Sequence, residues 1–148
     1  MNNGTIDKLK GAGSKEIHLI YAIAAAGAVG ALLRYSISLI FSADAPGQDF
    51  PWATLICNVS GCFCLSFLTF AVPFRWLSSP EVKAGLTTGL LGSFTTFSTF
   101  SIETRAMLAA SNERTAVLYV ALSVILGIVF TCFGYVAAGF VDKRRHVK

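Results

Sequence analysis

The sequence predicts an all-α integral membrane protein with four transmembrane helices in a single domain spanning residues 1–148. Three observations predict it. Charged residues are only 14% of the chain, against about 25% in an ordinary soluble domain. The apolar residues, 54% of the total, gather into four long runs. The basic residues collect at the ends of those runs. A helix needs about 20 apolar residues to cross a bilayer core, and all four runs are long enough.

The elements follow in order. Residues 1–16 are polar, with Gly11 and Gly13, and read as a surface segment or a disordered one. Helix one is expected at about 17–41, interrupted only by the charge of Arg34. Lys8, Lys10 and Lys15 ahead of it imitate the basic start of a signal peptide. Its apolar stretch, however, outruns the 7–15 residues or so of a cleaved segment, so it reads as a retained span. Turn formers Asp44, Pro46, Gly47 and Asp49 fill the first loop, and Trp52 stands as an interfacial anchor. Helix two is expected at 52–74, a run of 23 residues without a charge. Pro73, Arg75, Trp76 and Pro80 mark the next interface. Helix three is expected at 81–108, with Pro80 and Glu81 suited to its first turn. Helix four is expected at 115–141, 27 residues without a charge.

Four spans put both termini on one side. That side, with the second loop, holds Lys8, Lys10, Lys15, Arg75, Lys83, Lys143, Arg144, Arg145 and Lys148, nine of the twelve basic residues. The positive-inside rule makes that side cytoplasmic. A basic tail directly after a membrane run points to anionic lipid as its partner, not to nucleic acid, which would need a basic face on a folded domain. Cys57, Cys62, Cys64 and Cys132 all lie inside apolar runs without histidine pairing and read as packing residues.

The informative residues are polar ones inside the spans, because polar groups in hydrocarbon pair or face a cavity. In helix three, Gly85, Gly89 and Gly92 share one helical face. They precede Ser93-Phe94-Thr95-Thr96-Phe97-Ser98-Thr99-Phe100-Ser101, a stretch with six hydroxyls and three phenylalanines. Such a stretch either unwinds at mid-membrane, freeing carbonyls to hold a cation, or stays helical with hydroxyls bonded to i−4 carbonyls. Phe94, Phe97 and Phe100, spaced by three, form a ladder on one side of a helix. It serves either as a packing stripe or as a wall of positive ring edges for an anion. Asn58 sits mid-helix with Thr54 and Gly61 on its face, either bonding a neighbouring helix or lining a path. Arg34 shares a face with Gly27 and Gly30 and either snorkels or draws an anion inward. Glu103 follows the hydroxyl run and either caps the end of the membrane segment or accepts bonds from nearby hydroxyls.

Three segments together resemble the Fluc/CrcB family of fluoride channels: Gly27 to Tyr35, Trp52 to Gly61, and Gly89 to Thr104, the last containing the run TTFSTFS. The resemblance covers about Ala24 to Gly139. It implies an antiparallel dimer with two fluoride pores and a third helix broken at mid-membrane. A structural sodium ion at the dimer centre would be held by backbone carbonyls, here of Gly92 and Thr95. It further implies that Asn58, Phe97 and Phe100 line the pore, that Ser98, Thr99 and Ser123 form a polar track, and that Arg34 sits near the vestibule. The implied activity is passive, fluoride-specific efflux across a bacterial cell membrane, protecting against fluoride toxicity.

Two features depart from the family pattern. Gly127 stands where another hydroxyl is expected, one turn after Ser123. The nine-to-three charge bias favours one fixed orientation, so the partner is either a second copy or an oppositely inserted homologue in an antiparallel heterodimer. A proton-coupled small multidrug exporter of the four-helix type is the main alternative. It requires a carboxylate within helix one, and Glu16 lies outside that span. No nucleophile–base pair points to an enzyme.

Overall fold

The structure, a computed structural model, describes residues 3–41, 49–70 and 79–146, with side chains described between 16 and 141 within those ranges. The expected interface at Pro73, Arg75 and Trp76, the turn formers Asp44, Pro46 and Gly47, and the last four residues expected for helix two lie outside them. Among the described residues, six α-helices and one π-helical segment are formed: α1 (Asn3–Ile40), α2 (Trp52–Phe70), α3 (Pro80–Ala84), the π segment (Gly85–Leu91), α4 (Gly92–Phe94), α5 (Phe97–Ala109) and α6 (Glu113–His146).

α1 is described from Asn3, so the polar stretch, read from the sequence as a surface segment or a disordered one, is helical and continuous with the apolar run. Among the described residues, three helical stretches are long and apolar enough to cross a membrane: Glu16–Ile40, Trp52–Phe70 and Glu113–Val141. The segment expected to form helix three does not reach that length as one helix, because it is divided into four pieces.

α3 starts as its residues dictate. Ser79 is the N-cap, its hydroxyl accepting from Val82 N at 3.5 Å and contacting the Glu81 carboxylate, with Pro80 in the first turn. The π segment then packs against α1. Gly85 and Gly89 allow this: an added Cβ would lie 3.3 Å from Ala22 O and 2.6 Å from Ile23 O respectively. Gly92 does not join that face, since its nearest neighbour is Thr87 O at 3.9 Å. The single face expected for all three glycines rests on α-helical winding, and the wider i→i+5 winding of a π-helix carries Gly92 out of line.

α5 ends where Ser111 turns left-handed at φ 58°. Asn112 N donates to Met107 O at 2.9 Å and Ser111 N to Leu108 O at 3.2 Å, which together satisfy the helix's last carbonyls. The reversal brings α6 back along α2. There Gly134 presses on α2 so closely that a Cβ would meet Phe63 O at 2.4 Å, and Ser66 Oγ donates to Thr131 O at 2.8 Å. The described core gathers Leu55, Val59, Met107, Ala116 and Tyr119, with Phe50, Phe100 and Leu126 packed on it.

Candidate functional site

The helical bonding of the third segment stops at Thr95 and Thr96, which take extended backbone conformations (φ −80°, ψ 155° and φ −148°, ψ 125°). Several of the backbone groups freed there can be followed to a new partner. Thr96 N, which would bond Gly92 O in a continuous helix, donates instead to Asn58 Oδ1 at 2.8 Å. Thr96 O accepts from Asn58 Nδ2 at 3.0 Å. Thr96 Oγ1 caps α5 by accepting from Thr99 N at 3.1 Å, so Thr95 O loses the donor that a helix would have given it. Ser93 O accepts from Arg34 Nε at 3.1 Å. Side chains from α1 and α2 therefore replace helical bonds, while the carbonyls of Gly92 and Thr95 are released from theirs.

Thr96 is the hub of this arrangement, and the sequence reading gave it no role of its own. Its hydroxyl also donates to Thr99 Oγ1 at 2.9 Å and lies 3.3 Å from Ser98 Oγ. Ser98 and Thr99 are thus joined in one hydroxyl cluster at the start of α5. Thr95 Oγ1 turns back to Leu91 O at 2.9 Å, the i−4 bonding weighed for the hydroxyl run.

A groove of about 300 Å³ opens beside the interruption, lined among others by Asn58, Gly61, Gly92, Thr95, Thr96 and Phe97. Gly61 is needed for its shape: a Cβ there would lie 2.1 Å from Thr95 Cγ2. Thr96 N can only donate, so it fixes the amide of Asn58 with Oδ1 toward the backbone. Of the two Nδ2 hydrogens, one is bonded to Thr96 O and the second is left for another acceptor.

The phenylalanines do not form the continuous ladder that the spacing suggests. Phe94 closes α4 while Phe97 opens α5, and the extended pair between them destroys the helical register. Phe97 and Phe100 remain a pair, with ring centroids 5.8 Å apart at 36°. Phe97 is 79% exposed, whereas Phe100 leans on Tyr119 at 5.1 Å. Tyr119, also unassigned from sequence, donates to Glu103 Oε2 at 2.8 Å, and Thr54 Oγ1 donates to Glu103 Oε1 at 2.8 Å. A tyrosine hydroxyl in an apolar run needs a buried acceptor, which is the signal that could have found it. Ser123, one turn beyond Tyr119, keeps a buried Oγ with no hydrogen-bond partner among the described residues. Of the residues expected to line a path, Asn58 and Phe97 line the groove, whereas Phe100, Ser98, Thr99, Ser123 and Arg34 do not.

Hard monovalent cations are held by oxygen ligands such as unwound carbonyls. The released carbonyls of Gly92 and Thr95 are of that chemistry. No cluster of three or more histidine, cysteine or acidic side chains is found among the described residues.

Comparison with known proteins finds relatives over most of the chain. The protein is 42% identical over 130 residues to "Fluoride-specific ion channel FluC 1" of Bacillus thuringiensis subsp. konkukian, covering 88% of this chain and 93% of the relative. It is 43% identical over 117 residues to "Fluoride-specific ion channel FluC" of Acidithiobacillus ferrooxidans, covering 79% and 89%. The family model described as CrcB-like protein, Camphor Resistance (CrcB), matches residues 21–135, a stretch that contains the interruption at Thr95–Thr96, its two braces Arg34 and Asn58, and the groove; the chain is a multi-pass membrane protein of the CrcB family.

Proposed function

We propose that this protein is a fluoride-specific ion channel that lets fluoride leave the cell passively and so lowers its toxicity. The relatives' names support the ion, and the meeting of Asn58 and Phe97 on one groove beside the interrupted helix is the observation that carries the path. Fluoride is small and strongly hydrated, so a path must replace its water with donors while binding weakly enough to release it. The free Nδ2 hydrogen of Asn58, the ring edges of Phe97 and Phe100, and the hydroxyls of Ser98, Thr99 and Ser123 are donors of that kind. Both oxygens of the nearby carboxylate of Glu103 are occupied by hydroxyl donors, which tempers its repulsion of an anion.

The remaining architecture belongs to the same reading. The pieces from Pro80 to Ala109 form the fourth span, and Thr95 and Thr96 sit at mid-membrane. An antiparallel partner covers the groove and the exposed ring of Phe97. The carbonyls of Gly92 and Thr95 would hold a sodium ion at the dimer centre, where its charge would offset facing carbonyl dipoles. The charge bias makes an oppositely inserted homologue as reasonable a partner as a second copy.

Fluoride and chloride efflux from liposomes containing the purified protein tests the function. Rapid fluoride loss with little chloride loss is the expected result, and Asn58→Asp or Phe97→Ile should abolish it without dissociating dimers. Equal flux of both halides, or normal flux in both variants, would overturn the reading.

A further inference from the structure

Arg34 is the only charged residue within the apolar part of α1, and the structure gives it a specific bond. Its Nε donates to Ser93 O at 3.1 Å, across 59 residues of chain. The carbonyl it caps lies between Gly92 and Thr95, at the C-terminal end of α4, where the helix leaves its last carbonyls without donors. A cation at a helix C-terminus is favoured by the dipole, but the geometry asks for more than charge. It asks for an N–H at one point.

The seating of α1 provides that point. Gly30, one turn before Arg34, lies so close to the π segment that a Cβ would stand 2.1 Å from Leu90 O. Gly27, a further turn back, would place a Cβ 3.2 Å from Ser93 Oγ. Backbone-to-backbone contact of this kind fixes the register of α1 against the segment leading to the interruption. The arginine then arrives at Ser93 by construction, not by a flexible reach.

We propose that Arg34 is a positioning residue of the conduction path, acting through the Nε–H cap on Ser93 O and not through its charge. The proposal rests on the fluoride-channel reading for its flux consequences. By occupying Ser93 O the cap holds the end of α4 while leaving the flanking carbonyls of Gly92 and Thr95 available. It works alongside Asn58, which fixes the next backbone groups at Thr96. The interruption is thereby braced from both sides, by α1 on its α4 end and by α2 on its α5 end.

The two roles separate because of where the atoms lie. Glutamine carries its amide nitrogen on Cδ, as arginine carries Nε, so Arg34→Gln keeps an N–H at the capping point and loses the charge. Arg34→Lys keeps the charge but has a methylene at that point, and Arg34→Met has neither charge nor donor. Each full-length variant is compared with the wild type in two measurements: fluoride efflux from liposomes, and amide hydrogen exchange of the peptide covering residues 91–100. Arg34→Gln should retain most of the flux and the wild-type exchange. Arg34→Lys and Arg34→Met should lose flux about tenfold, the upper end for one hydrogen bond without a contribution from charge, and exchange faster at the interruption. Flux retained by Arg34→Lys and lost by Arg34→Gln would show that the charge matters and overturn the proposal. Unchanged exchange in all three variants would overturn it as well. If Arg34→Lys and Arg34→Met do not fold, loss of flux or faster exchange in Arg34→Gln alone is sufficient to reject it. Wild-type protein that moves no fluoride would overturn the channel reading, and the order of exchange rates among the variants would still decide whether the cap holds.

Discussion

Asn58 and Thr96 exchange two hydrogen bonds, side-chain amide against backbone, at 2.8 and 3.0 Å. The pair imitates one rung of a β-ladder inside a helical protein, and it is what allows a chain to be extended at Thr96 without leaving an unpaired N–H and C=O. An unpaired buried group would cost about 1–3 kcal/mol. The same bonds aim the remaining amide hydrogen, so brace and candidate fluoride donor are one side chain.

Asn58→Asp separates these tasks only partly. A carboxylate can still accept from Thr96 N, but it cannot donate to Thr96 O and sets a negative oxygen against that carbonyl. Fluoride efflux should fall to background. Asn58→Leu removes both bonds and should lower stability in detergent by about 2–4 kcal/mol, two unsatisfied groups less the gain from added apolar contact. Efflux and thermal unfolding measure the two effects.

The glycines divide sharply in what they tolerate. Gly30→Ala would place a methyl 2.1 Å from Leu90 O, a backbone atom that cannot swing aside. The expected cost is about 1–3 kcal/mol, with displacement of α1 and loss of the Arg34 bond. Gly139→Ala in α6 meets nothing within 4 Å and should stabilise by about 0.5–1 kcal/mol through helix propensity. Thermal unfolding of the two variants side by side checks both signs.

Much of this was legible in the sequence, for identifiable reasons. The long apolar runs at α1, α2 and α6 report their own length and composition, which are local quantities. Glycine at i−7 and i−4 from Arg34 was legible as one face, and that face meets the π segment. Of the two roles open to Glu103, end cap or acceptor for hydroxyls, the second is seen, with two donors. The π winding was not legible, because Gly85–Leu91 reads as part of an ordinary apolar helical run. It misplaced Gly92. The phenylalanine ladder failed for a related reason: spacing by three means one face only if the helix continues, and Thr95 and Thr96 are extended. Tyr119 escaped notice because its partner lies 16 residues away on another element.

Ser111 holds φ 58° without being glycine. A left-handed L-residue costs about 1–2 kcal/mol, part of which glycine returns as entropy of the unfolded chain. Ser111→Gly should therefore raise stability by about 0.5–1 kcal/mol and leave fluoride flux unchanged, because the turn between α5 and α6 lies apart from the groove. A higher unfolding temperature with wild-type efflux is the expected pair of readings.

The carboxylate of Glu103 is held by one donor on each oxygen, Thr54 from α2 and Tyr119 from α6. These bonds tie three helices together at a single group, next to the Phe100–Tyr119 ring contact at 5.1 Å. Tyr119→Phe keeps the ring and removes only the donor, so any effect on flux or stability belongs to the hydrogen bond. Thr54→Val does the same on the other side. Each should destabilise by about 1.5–3 kcal/mol, the range for bonds to a charged acceptor. Their combination should exceed additivity by about 0.5–3 kcal/mol, because a carboxylate freed on one side can turn toward the donor that serves the other, and the double variant has no such donor left. A double-mutant cycle of thermal unfolding in detergent measures that coupling. Strict additivity would mean that the two donors act on Glu103 independently, and the three-helix tie would then be two separate contacts.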